Sequence, residues 1–201
     1  MPPVGNDIVD LGDMENRGKN RDKRFLDRVL TTEEQLLLSA AARPEALLWS
    51  LWAAKEAAYK AVSRDDPEVC SIPRRYSVFL NDGRVVTPRG EVALRVIVTG
   101  DYVHALAAGS EACLEGMVQR VDRMGNLENS GDPSAFVRVQ LLGEIARCLH
   151  CPVDDLEIGK APVGSGAPRV FLRGRPLAAE ISLSHDGRFT AFAFDLSPAI
   201  P

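Results

Sequence analysis

Between Glu45 and Val62 the apolar side chains Leu48, Leu51, Trp52, Ala58 and Tyr59 recur at spacings of three, four and seven, the period of a one-faced helix. Alanines at 53, 54, 57, 58 and 61 favour that helix and let another element approach it closely. The segments around it are extended. Val4-Gly5-Asn6-Asp7-Ile8-Val9-Asp10-Leu11 alternates branched apolar residues with acids and predicts a short strand. Phe25, Val29 and Leu30 offer an apolar helical face within a basic stretch. Thr31-Thr32-Glu33-Glu34 marks a helix start, Leu36 to Ala42 continues it, and Pro44 breaks it. Asp65-Asp66-Pro67 ends the long helix. Strand-like runs follow at Tyr76–Leu80, Val92–Thr99 and Tyr102–Ala108, with Asn81-Asp82-Gly83 as a turn signal.

A second round of the same order begins near Glu115–Val121. A polar loop at Asn126–Pro133, a helical pattern at Phe136–Leu149, and strand-like runs at Arg169–Leu172, Glu180–Ser184 and Phe189–Phe194 complete it. The expected fold is α+β, with two similar lobes at residues 1–113 and 114–201. Each lobe is expected to be a small antiparallel sheet packed on a long helix. The 201 residues are 45% hydrophobic with a formal net charge of −4, which excludes a disordered chain. No apolar run reaches the roughly 18–20 residues that span a bilayer, so no membrane partner is expected. The charge gives no basis for nucleic-acid binding. The N-terminus lacks the basic and apolar regions of a signal peptide, which predicts a cytoplasmic protein. Cys148-Leu149-His150-Cys151 has CxxC spacing, but Cys70 and Cys113 form no second knuckle, so a helix end with small thiols is favoured over a zinc or redox site.

Two acids stand out. Asp7 follows a glycine in the first strand, and Glu56 sits mid-helix between Lys55 and Ala57. Buried carboxylates are costly unless paired or bound to a cation, and a strand acid facing a helix acid could hold Mg²⁺. Glu56 and Lys60, four apart, could equally form a surface ion pair worth about 0.3–0.5 kcal/mol. His185 taken alone could satisfy a local hydrogen bond, the reading retained for His104 and His150.

Val4–Leu11 together with Trp52-Ala53-Ala54-Lys55-Glu56-Ala57-Ala58-Tyr59-Lys60-Ala61 resembles the 4′-phosphopantetheinyl transferase superfamily. Its signatures are a Gly-x-Asp strand and a (Phe/Trp)-x-x-Lys-Glu-Ala-x-x-Lys helix. Arg24-Phe25, Val29-Leu30-Thr31 and Glu34 are similar to the segment between them. Ile181-Ser182-Leu183-Ser184-His185-Asp186-Gly187 resembles a third signature. The resemblance implies an enzyme that moves the phosphopantetheine arm of coenzyme A onto a serine of an acyl or peptidyl carrier protein, releasing 3′,5′-ADP. It implies Asp7 and Glu56 as Mg²⁺ ligands and Lys60, with Lys55 second, as phosphate contacts. Ser184 and His185 would bind the coenzyme 3′-phosphate. Glu56 or a metal-bound water would take the serine proton. Asp10 is either a supporting or a purely structural acid.

The family's Gly-Lys-Pro turn stands here as Gly166-Ala167-Pro168, with Gly174-Arg175-Pro176 as a substitute and Arg169, Arg173 or Arg175 as the compensating cation. The first lobe has Val98-Thr99-Gly100-Asp101-Tyr102 in place of the histidine signature. The second has Gly116-Met117-Val118 in the Gly-x-Asp place, and Leu142-Gly143-Glu144-Ile145 only echoes the lysine helix. The implied assembly is a monomer with pseudo-twofold lobes and one composite site. Carrier proteins are acidic, so the Arg17–Arg28 cluster, with Arg24 and Arg28 four apart, is the expected docking face. Two other functions compete: a catalytically weak superfamily member that only binds coenzyme A or a carrier, and another Mg²⁺-dependent phosphate-cleaving enzyme, for which no P-loop is present.

Overall fold

A computed structural model describes residues 4–64, 66, 68–125, 131–160 and 167–196, with Lys160 as backbone only. The expected helix stop at Asp65 and Pro67, most of the loop after Asn126, and Gly166 lie outside the described residues. In chain order the elements are β1 (Val4–Asp10), α1 (Lys23–Val29), α2 (Thr32–Ser39), α3 (Pro44–Ser63), β2 (Ser77–Phe79), β3 (Arg84–Thr87), β4 (Gly90–Val98) and β5 (Tyr102–Ala108). There follow α4 (Glu111–Gly116), β6 (Val118–Arg123), α5 (Pro133–Leu149), β7 (Leu156–Lys160), β8 (Pro168–Leu172), β9 (Arg175–Pro176), β10 (Glu180–Asp186) and β11 (Phe189–Asp195). The class is α+β, with antiparallel sheets ordered β1-β5-β4-β3-β2, β10-β11-β6 and β7-β8-β9.

Helix α3 packs on β1, β5 and β4, with Ala53, Ala54, Ala57 and Ala58 fully buried in that contact. The small side chains bring strand and helix so close that a Cβ on Gly5 would lie 1.9 Å from the Ala57 carbonyl oxygen. Gly5 is therefore fixed by close approach. Pro44 does not merely stop the preceding helix. It opens α3 at a position whose N–H would have no helical partner, while α2 already ends at Ser39. The Thr31–Glu34 pair forms a full capping box, with Glu34 N donating to Thr31 Oγ1 at 3.3 Å and Thr31 N to Glu34 Oε2 at 2.8 Å. Such a cap contributes about 1 kcal/mol.

The second half builds a separate core, with Val137, Leu141 and Ile145 of α5 against Phe192, Phe194 and Val170. The strand runs of this half divide between two sheets, and β3, β7, β9 and α4 are additions to the sequence reading. The expected 113/114 boundary falls inside α4. Two small apolar clusters join the halves: Val4, Leu106 and Leu114 with Ala193, and Ile8 with Phe189 and Ala191. His150 closes α5 at φ 52°, and all four cysteines are free, so the CxxC stretch is a helix end.

Candidate functional site

The close seat of β1 on α3 sets Asp7 against the helix. Lys60 Nζ donates to Asp7 Oδ1 at 2.7 Å and to the Asn6 carbonyl at 3.0 Å. One turn earlier, Glu56 Oε1 accepts from Ser71 Oγ at 3.2 Å. Asp7, Glu56 and Lys60 line a cleft of about 220 Å³, and β10 closes it with His185 and Asp186. Burial pushes the Asp7 carboxyl up, opposed by Lys60 and reinforced by the nearby charge of Asp186. Burial and then the repulsion of Asp7 push Glu56 up as well. Three carboxyl groups, Asp7, Glu56 and Asp186, thus share this cleft with Lys60. Two hard oxygen donors in that state fit a divalent ion that keeps water and phosphate as its remaining ligands. Among the described residues, no group of three or more His, Cys, Asp or Glu side chains is arranged to hold a metal. A two-carboxylate site is the form these residues offer.

Lys60 and His185 also line a second cavity of about 460 Å³, which makes the two spaces neighbours along α3 and β10. Its far wall comes from Ser134, Val137 and Arg138 of α5 and from Ala167 and Pro168. Both halves of the chain thus contribute to one cleft.

Three expected coenzyme contacts are elsewhere. Lys55 is 1% exposed, and its ammonium is held by Glu34 Oε2 at 2.6 Å, the Val29 carbonyl at 3.0 Å and the Pro73 carbonyl at 3.1 Å. Its three donors are used inside the core, which corrects its reading as a phosphate contact. Ser184 is buried, and its hydroxyl donates to Asn6 Oδ1 at 2.5 Å, so it joins β10 to β1 and turns away from the cleft. Arg175 is exposed on β9 and lines neither cavity. Arg24 and Arg28 are exposed on α1, with Arg28 over the Phe25 ring at 5.7 Å.

Residues that the sequence reading left without a role lock β1 to β10. Asn6 N donates to Ser182 Oγ at 2.9 Å. Asp186 Oδ2 accepts from Asp10 N at 2.7 Å and from Asn16 Nδ2 at 2.8 Å. The Asp10 carboxylate is held within the fold. Arg188 binds both its oxygens, with Nη2 at 2.6 Å and Nε at 2.8 Å, and Gly12 N donates at 2.7 Å. Burial pushes the Asp10 carboxyl up, but these hydrogen bonds outweigh it and hold the group below the ordinary carboxylate range. A serine-histidine-acid run carried the only sequence signal for Asp186.

A model of the 4′-phosphopantetheinyl transferase superfamily matches residues 3–107, just over half of the chain. The chain belongs to this superfamily. Within it, the chain is similar to a holo-[acyl-carrier-protein] synthase of Campylobacter jejuni subsp. jejuni serotype O:23/36 (strain 81-176), 41% identical over 68 residues. That alignment covers 34% of this chain and 56% of the relative. The corresponding protein of Campylobacter jejuni subsp. doylei matches to the same extent. The chain therefore spans little more than half the length of the curated relatives it matches. The superfamily match covers β1 and α3, which bring the two acids and Lys60, whereas His185 and Arg138 lie beyond it. Among the described residues no helix is long and apolar enough to cross a membrane.

Proposed function

We propose that this chain transfers the 4′-phosphopantetheine arm of coenzyme A to a serine of an apo acyl or peptidyl carrier protein, releasing 3′,5′-ADP. The observation that carries the proposal is the meeting of Asp7, Glu56 and Lys60 with His185 in one cleft beside a larger cavity. Lys60 binds the diphosphate as a point cation, and His185 binds the coenzyme from the opposite wall. Asp7 and Glu56 would hold Mg²⁺, which when bound neutralises charge on the diphosphate. The serine Oγ forms a bond to the β-phosphorus, and the bond from that phosphorus to the bridging oxygen breaks. Glu56, on the wall of the same cleft, is one protein group that would take the serine proton. Orienting an already reactive phosphorus is the main contribution of the protein in this reading.

The proposal includes two related lobes in one monomer. The strand order β1-β5-β4 matches β6-β11-β10 in order and direction. Setting the last ladder pairs of the two hairpins, Val98–Val103 and Asp186–Phe189, together puts Val103 with Phe189, and Asp7, opposite Ala105, then corresponds to Val121, opposite Ala191. By the same register His185 corresponds to Ile97. Each lobe carries an apolar residue where the other carries the polar one, which supports a single composite site.

The alternative, a module that binds coenzyme A or a carrier without transfer, draws on the alanine at position 167. Incubation with coenzyme A, Mg²⁺ and a panel of apo-carriers, followed by intact mass spectrometry, separates the two. The proposal expects one phosphopantetheine added to a carrier and one 3′,5′-ADP released. Coenzyme A binding with no adduct on any carrier would overturn it in favour of the module.

A further inference from the structure

Val4, Asn6, Ile8 and Asp10 alternate onto one face of β1, the face that meets the second half of the chain. Val4 and Ile8 join the apolar clusters there. Between them stands Asn6, fully buried, with its Nδ2 unpaired among the described residues. An unpaired buried donor is costly, so a carboxamide at this position calls for a role that an aliphatic side chain would not fill. Its Oδ1 accepts from Ser184 Oγ at 2.5 Å and lies 3.3 Å from His104 Nε2. The Asn6 backbone is engaged as well, its N–H donating to Ser182 Oγ at 2.9 Å and its carbonyl accepting from Lys60 Nζ at 3.0 Å.

The residues that follow these two belong to the cleft. Asp7 follows Asn6 on β1 and holds Lys60, and His185 follows Ser184 on β10 and lines both cavities. Adjacent residues of a strand point to opposite faces, so the Asn6–Ser184 bond inside the interface sets where His185 stands relative to Lys60 outside it. Among the described residues nothing hydrogen-bonds the His185 ring, so the strand aims it. On its far side Asp186 is tied to the Asp10 N–H, a link that does not depend on the Asn6 side chain. We infer that the Asn6 carboxamide is a positioning group: by gripping Ser184 it fixes the seat of β10 on β1 and so holds His185 opposite Lys60. Its effect on binding rests on the coenzyme reading of the cleft, whereas the placing of His185 does not.

Asn6→Leu, which nearly keeps the side-chain shape, and Ser184→Ala each remove this bond. Calorimetric affinity for coenzyme A, the ring proton–carbon resonances of the three histidines and melting temperatures are measured on the full chain. The two variants are taken singly, together and in a His185→Ala background, which also assigns the His185 resonance. Each single variant is expected to shift that resonance and to weaken coenzyme A binding about tenfold, the size of one hydrogen bond to a charged group. The double variant is expected to bind no more weakly than Asn6→Leu, and Asn6→Leu to lose nothing further once His185 is absent. An undisturbed His185 resonance or full affinity in both folded variants overturns the inference and leaves the coenzyme reading standing. So does an equal loss from Asn6→Leu with and without His185, which marks a purely structural residue. A loss confined to Ser184→Ala overturns it too, because Ser184 would then touch the coenzyme itself. If Asn6→Leu does not fold, Ser184→Ala with and without His185 carries the same comparison. A wild type that binds no coenzyme A overturns the coenzyme reading, and the His185 resonance then decides the placing of the ring by itself.

Discussion

Lys60 Nζ lies 2.7 Å from Asp7 Oδ1, an ion pair between a helix and a strand at the edge of a cleft, with the two side chains 30% and 14% exposed. A pair so placed differs from an exterior one. Asp7 is desolvated, Glu56 and Asp186 add negative charge around it, and Lys60 is the cation that opposes them. In the proposed reading, Asp7 and Glu56 would hold a divalent ion that neutralises a bound diphosphate, and Lys60 would contact phosphate oxygens.

Lys55 shows how the adjacent basic residue of the same motif serves a different purpose. Replacing it with Met leaves Glu34 buried without its cation, which is expected to cost about 3–5 kcal/mol in a denaturant titration. Coenzyme A affinity of the remaining folded protein is expected to be unchanged. The double variant Lys55→Met/Glu34→Gln should recover much of the loss, because no buried charge remains and Gln can still accept from Val78 N. Normal stability with lost coenzyme binding would restore Lys55 to the site.

His104 gives the fold a pH dependence. Burial, with a smaller contribution from Lys60, lowers its pKa to about 4, and its ring contacts Asn6 Oδ1 at 3.3 Å. The unfolded chain takes up a proton near pH 6.5 that the folded ring refuses. The stabilising contribution is therefore complete above pH 6.5 and is lost as pH falls toward 4, by roughly 3 kcal/mol across the window. Asp7, Glu56 and Asp186, held above the ordinary carboxylate range by burial, act in the opposite sense. The difference between wild type and His104→Gln in unfolding free energy against pH isolates the histidine. An unchanged slope in the variant would contradict this account.

Arg24 and Arg28 stand exposed on α1, free to meet an acidic carrier. Reversing both to Glu is expected to raise the KM for carrier about tenfold or more at low salt, with kcat and coenzyme affinity nearly unchanged. The wild-type KM should climb with ionic strength as the attraction is screened. A KM indifferent to salt and to both reversals would place docking on another face.

Much of this arrangement was legible from residue order. Gly5 and the alanines of α3 announce a close strand–helix contact, and Glu56 and Lys60, about 40° apart around a helix, must share a face. The same geometry puts Lys55 about 140° from Lys60, so its inward course was implicit in the helix period, and family likeness concealed it. Ser184 and His185 alternate across β10, so only one of them can enter the cleft. Strands β3 and β7 were missed because short runs with one or two apolar residues give little alternation to detect.

The most direct test of the central claim is the Mg²⁺ dependence of transfer to an apo-carrier in wild type, Asp7→Asn and Glu56→Gln. The wild-type rate should saturate with Mg²⁺. Each variant should fold, bind coenzyme A, and transfer at least about 100-fold more slowly at the same Mg²⁺ concentration. Wild-type rates in both variants would contradict a cleft in which these two carboxylates hold the ion beside the diphosphate.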